Sequence, residues 1–182
     1  MSVVTALPYG RPLEHDDLAR MPDDGHRYEL LDGVLLVSPA PRTRHQVAVA
    51  RPLVRLSQSA PDGMLVLTAP YDVVLAADTV LQPDLVVAPT GSFTDVDLPG
   101  PPSLAVEVLS PSTRRVDLLL KPDRLASAGC PSYWVVDPDV PAVTVLELQE
   151  DAYVEVSHAT GDDALDVSRP FPLRLRPSSL VG

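Results

Sequence analysis

Short runs of β-forming and apolar residues, bounded by turn residues and interspersed with stretches of helical apolar spacing, recur along this chain. The segment RYELLDGVLLVSP, residues 27–39, reads as two strands turning at Asp32-Gly33, a strong short-range hairpin signal. Ahead of it LEHDDLARM, residues 13–21, has the spacing of a short N-terminal helix. After it RTRHQVAVARPLVRLSQSA repeats apolar positions at helical spacing, and Pro52 must kink that helix or begin a new turn. The runs MLVLTAPYDVVLAADTVLQPDLVVAPT and PSLAVEVLSPS are rich in β-formers and bounded by Pro, Gly and Asp. TRRVDLLLKPDRLASAG predicts a further helix with Gly129 as its stop. Strands follow at SYWVVD, AVTVLELQ and AYVEVSHA, and the strand-like tail FPLRLRP closes the pattern. These elements predict an α/β (α+β) fold, a curved mixed β-sheet flanked by helices. The expected organisation is one domain over residues 1–182, with a core over about 27–158 and a tail over about 169–182.

Composition narrows the class. A chain of 182 residues, 45% of them hydrophobic, is long enough to bury a core. The single cysteine, Cys130, rules out an internal disulfide or a multi-cysteine metal site and suits a reducing compartment. Without a basic start and a long apolar run, the N-terminal segment predicts a cytoplasmic protein with no membrane span. The net charge of −11 argues at first against nucleic acid. Its distribution changes that reading, because residues 33–61 carry Arg42, Arg44, Arg51 and Arg55 and no acid. Arg44, Arg51 and Arg55, spaced by seven and four, share one helix face if the helix is continuous. A basic strip on an acidic body is then expected.

Two acids stand where the pattern calls for apolar residues: Asp84 in QPDLVVAP and Glu107 in LAVEVLS. Alternation puts Ala105, Glu107 and Leu109 on one strand face and Leu104, Val106 and Val108 on the other, and neither face is solvent-like. A carboxylate there costs several kcal/mol, by rough estimate, unless compensated. An arginine partner would compensate it structurally; a divalent cation such as Mg²⁺, which takes one or two carboxylates, would do so functionally. Lys121 bears on this choice, since it is the one lysine beside thirteen arginines. Taken alone it reads as a remnant of coding bias. If the helix doubles back over the strand ending near Ser110, Lys121 lies about eight residues along it, roughly 12 Å. Glu107 lies three residues back along the strand, roughly 10 Å. The two can stand abreast.

The segments RYELLDG, the helix bearing His45, QPDLVV, AVEVLSPSTRRVDLLLK and SAGCPSYWVVDP, in that order, resemble the Uma-two family of PD-(D/E)xK restriction-endonuclease-like proteins. The resemblance runs from about Leu13 to Leu180 and implies a restriction-endonuclease-like core. It also implies a nuclease that hydrolyses phosphodiester bonds, most readily in DNA, with Mg²⁺ or substituting Mn²⁺, in a homodimer. On that basis Asp84 and Glu107 are the metal carboxylates, with the Val108 backbone carbonyl as a further ligand, and Glu29 is the earlier acid. The superfamily lysine usually stands where this chain has Leu109; here the migrated lysine is Lys121. Nucleic acid would be met by Arg42, Arg44, His45, Arg51 and Arg55. His45 could equally stand half-exposed on its helix.

The chain departs from the family pattern at Pro122, directly after the lysine, and at Leu125. Asp117, one turn before Lys121, reads as its partner, Asp32 as turn chemistry, and Tyr133 and Trp134 as core. Two rivals remain. One is a silent binding or regulatory module, the alternative suited to Pro122 and the acidic charge. The other is a two-carboxylate glycosidase, which 4% aromatic residues disfavour. Carboxylates converging around an ion would support the nuclease, and an arginine buried against Asp84 or Glu107 would support a structural role.

Overall fold

The structure, a computed structural model, describes residue 8 and residues 10–181; positions 1–7, 9 and 182 of the expected domain lie outside the described residues. In chain order the elements are α1 (His15–Leu18), β1 (Arg27–Leu31), β2 (Val34–Ser38), α2 (Thr43–Ser59), β3 (Met64–Thr68), β4 (Asp72–Ala76), β5 (Thr79–Leu81), β6 (Leu85–Pro89), β7 (Asp97–Pro99) and β8 (Leu104–Val108). A π-helical turn, Val116–Leu120, leads into α3 (Lys121–Ser127), then β9 (Ser132–Asp137), β10 (Ala142–Gln149), β11 (Ala152–Thr160), β12 (Leu165–Val167), β13 (Leu173–Leu175) and α4 (Pro177–Leu180). The mixed α/β class agrees with the sequence pattern. The strands divide between a five-stranded sheet, β2-β1-β5-β4-β7, a six-stranded sheet, β11-β10-β9-β8-β6-β3, and the hairpin β12-β13.

Alternation along β8 sorts the core into two sides. Leu104, Val106 and Val108 pack with Trp134, Val136 and the α2 residues Ala48, Val49 and Leu56. Ala105 and Leu109, on the opposite face, pack with Leu31 and Leu81 of the five-stranded sheet and with Leu125 of α3. The second side, between sheets and under α3, is where Glu107 points. Burial against these apolar neighbours contributes roughly 1.5–3 kcal/mol per large side chain.

Three local details set the site. The β1–β2 hairpin turns through Asp32 (φ 54°) and Gly33 (φ 74°), the paired left-handed conformation of the tightest hairpins. A Cβ on Gly33 would meet Pro12 Cβ at 2.4 Å, so glycine is required there for space as well as for φ. α2 runs as one helix across Pro52, which is buried on the same side as Ala48, Val49 and Leu56; packing of that face offsets the missing N–H. The expected helix over residues 113–129 differs more. The Lys121 N–H reaches back five residues to the Val116 carbonyl, a wide turn that delivers Pro122 into the first turn of α3. The helical run is continuous across this point, and the wide turn accommodates the N–H that Pro122 lacks; Lys121 still reaches Glu107. Leu125 is fully buried on the α3 underside.

Candidate active site

Glu29, Asp84, Glu107 and the pair Asp117 and Lys121 come from four separate chain segments and meet in the layer between the sheets. Period-two alternation turns Glu29 and Leu31 of β1 inward. The β6–β8 register pairs Leu85 with Val106, and one step further along it sets Asp84 beside Glu107. The π-helical turn and the start of α3 then lower Asp117 and Lys121 onto them. All five are 1–3% exposed.

Lys121 is the hub. Its Nζ lies 2.9 Å from Glu29 Oε1, 2.9 Å from Glu107 Oε1 and 3.4 Å from Asp117 Oδ1. Glu29 Oε1 also accepts the Gln82 N–H at 2.7 Å. The Tyr133 hydroxyl donates to the Asp117 carbonyl at 2.6 Å, which ties the π-helical turn to β9. Asp84 has a different company. Its Oδ1 accepts from Arg27 at 2.8 Å, while its Oδ2 accepts the Val108 N–H at 2.8 Å and lies 3.2 Å from His45 Nε2.

Burial alone would lower the Lys121 pKa, but the carboxylates of Glu107, Glu29 and Asp117 outweigh it and push the pKa up, so the ammonium is fully charged. Burial opposes ionisation of Asp84; the His45 hydrogen bond, the Arg27 charge and the Val108 N–H outweigh it and hold Asp84 below its usual range. Burial raises Glu107 well above its usual value, and Asp117, Asp84 and Glu29 add to that against the pull of Lys121. Asp117 is likewise raised, first by burial. One ammonium cannot neutralise three carboxylates, so Glu107, the most enclosed, holds a proton more readily than a free glutamate.

Four carboxylates thus face two fixed cations, Lys121 and Arg27, with His45 alongside. In donor type alone such oxygens would suit a hard divalent ion. The arrangement supplies no ready cage. The partners of Asp84 occupy both its oxygens, and among the described residues no group of three or more His, Cys, Asp or Glu comes together to hold a metal. Arg27 against Asp84 is the contact expected of a structural role, and a lysine, not an arginine, faces Glu107.

Of the residues singled out in the sequence, Glu29, Asp84, Glu107, Lys121 and His45 are brought together. Val108 touches Asp84 through its N–H. The basic residues of α2 are not gathered there. Arg44 pairs with Asp139 at 2.9 Å and donates to the Pro138 carbonyl, Arg51 donates to the Val181 carbonyl at 2.7 Å, and Arg55 to the Arg174 carbonyl at 3.1 Å. Arg42 sits at the N-cap of α2. Arg27 was not singled out, although alternation along RYELL already puts it on the face of Glu29.

The whole-chain comparisons agree with this architecture. The family model Uma2, described as "Putative restriction endonuclease", matches residues 15–178. The chain is a member of the Uma2 family. A crystal structure described as a "putative nuclease belonging to DUF820", from Anabaena variabilis, superposes with a TM-score of 0.71 at 17% identity, covering 93% of this chain and 97% of that one. At that identity the likeness establishes the nuclease-like fold. No curated protein matches the sequence. Uma2 membership supports a nuclease function in general terms, and with it a nucleic-acid substrate. No helix among the described residues is long and apolar enough to cross a membrane.

Proposed function

We propose that this Uma2 protein is a metal-dependent endonuclease that hydrolyses phosphodiester bonds in DNA, with Glu29, Asp84, Glu107 and Lys121 as its catalytic set. The observation that carries the reading is the sole lysine of the chain, buried within 2.9 Å of both Glu29 and Glu107 where the migrated nuclease lysine is expected. Mg²⁺ or Mn²⁺, held by Asp84, Glu107 and the Val108 carbonyl, would polarise the scissile phosphate and lower the pKa of a bound water. Lys121 acts as a compact fixed cation. Its raised pKa keeps it charged, so it balances negative charge developing beside Glu107 and does not exchange a proton. Glu29 positions Lys121, and is itself positioned by the Gln82 N–H. Arg27 and His45, at 17% and 11% side-chain exposure, are the most open members of the cluster and must yield for substrate to approach Asp84.

The Arg27–Asp84 pair and the near-complete enclosure of the carboxylates favour a second reading, a silent nuclease fold that binds without cutting. Plasmid cleavage with Mg²⁺ or Mn²⁺, beside Asp84→Asn, separates the two. Metal-dependent cutting lost in Asp84→Asn supports the nuclease; the same cutting by both proteins refutes this site, and no cutting by either supports the silent module.

A further inference from the structure

Many arginines of this acidic protein are paired with acids. Arg11 pairs with Asp17, Arg27 with Asp84, Arg44 with Asp139, Arg114 with Asp137, Arg124 with Asp32 and Arg169 with Glu147. One place differs. Between α2 and the β13–α4 segment runs a groove of about 770 Å³ lined by Arg51, Arg55, Arg174 and Arg176, with Val54 and Leu175 among its apolar lining and no acid. Arg51 and Arg55 are held there by backbone carbonyls, which fix their direction and leave their charge intact. Arg174 keeps one exposed ion pair, 3.5 Å from Asp166.

We infer that this groove binds the sugar–phosphate backbone of a nucleic acid without reading its sequence. The inference rests on the nucleic-acid reading of the site but not on metal binding or catalysis. Planar guanidinium forks suit phosphate oxygens, and four of them along one groove suit a repeating anion better than a single carboxylate. The apolar lining accepts the sugar faces between phosphates. The groove and the carboxylate cluster share α2: His45 touches Asp84, and Arg51 and Arg55 follow six and ten residues later, about 9 Å and 15 Å along the helix axis. The basic strip legible in α2 is therefore redrawn. Arg44 leaves it for Asp139, and Arg174 and Arg176 join it from the otherwise acidic C-terminal third.

Arg174 and Arg176 can be changed without cutting the carbonyl contacts of Arg51 and Arg55. Fluorescence anisotropy with a labelled DNA duplex in EDTA, over a salt series, compares the wild type with Arg174→Gln/Arg176→Gln and with Arg169→Gln as a surface-charge control. Loss of two phosphate contacts lowers the slope of log K against log salt by about 1.8, since each contact contributes about 0.9. Affinity at low salt falls about tenfold or more, and Arg169→Gln behaves as wild type. An unchanged slope in the double variant overturns the groove, whatever the cleavage result. Equal displacement of the duplex by poly-glutamate and by inorganic polyphosphate overturns the phosphate assignment in favour of an acidic protein. Failure of the wild type to bind any duplex overturns both this inference and the nucleic-acid reading beneath it.

Discussion

Replacing Lys121 by methionine removes one ammonium from among three buried carboxylates. Methionine nearly matches the length of the stem, so the change is mainly electrostatic. Glu29, Glu107 and Asp117, each 1–2% exposed, then have no cation within contact, and Arg27 is already engaged by Asp84. Breaking a buried ion pair in this way costs about 3–5 kcal/mol. For a chain of this size that corresponds to a fall in Tm of roughly 6–20 °C, at about 2–4 °C per kcal/mol. The sign of the pH dependence follows from the shifts. Glu107 and Asp117 have raised folded-state pKa values, so their protonated forms are favoured in the fold, and ionising them as pH rises through those values is destabilising. Lys121 offsets that loss, because its own raised pKa keeps it charged throughout. The Lys121→Met penalty is accordingly largest near neutral pH and shrinks as the carboxyls protonate. Urea denaturation of both proteins from about pH 8 down to about pH 5 measures it. A penalty below about 1 kcal/mol, or one independent of pH, would refute the hub arrangement.

Two further outcomes are expected. Gly33→Ala puts a Cβ into the left-handed region and 2.4 Å from Pro12 Cβ, so urea denaturation should show a loss of about 2 kcal/mol or more. Calorimetric titration with Mn²⁺ should show binding that Asp84→Ala and Glu107→Ala each remove, and unchanged binding in both would rule out this ion site.

The acids were legible because a carboxylate in an apolar strand has no cheap explanation, and Asp84 and Glu107 both interrupt one. Lys121 was legible from arithmetic, since the rise of a strand and of a helix bring it level with Glu107 once the chain doubles back. Asp117 was assigned to Lys121 as expected, but its burial was not, because burial depends on Tyr133 and the π-helical turn above it. That turn has no apolar-periodicity signature; Pro122 was its one trace. The division of strands into two sheets depends on pairings such as Leu30 with Val80, distant in sequence and unmarked by local pattern. Arg27 shows the complementary case, where the signal was present. The same alternation that turned Glu29 inward turns Arg27 toward Asp84, and it supplies the arginine partner that the sequence left as one of two compensations. Charge along α2 was legible and charge compensation was not, so Arg44 was grouped with Arg51 and Arg55 before Asp139 could claim it.

The most direct test of the site is cleavage of supercoiled plasmid by the wild type, Asp84→Asn and Lys121→Arg at saturating Mn²⁺, each variant first shown to be folded. The guanidinium keeps the charge of Lys121 but is planar and too bulky for the place between Glu29 and Glu107. The account predicts metal-dependent cutting by the wild type, none by Asp84→Asn, and a rate lower by about 10²-fold or more in Lys121→Arg with Mn²⁺ affinity retained. Wild-type rates in a folded Lys121→Arg protein would contradict it.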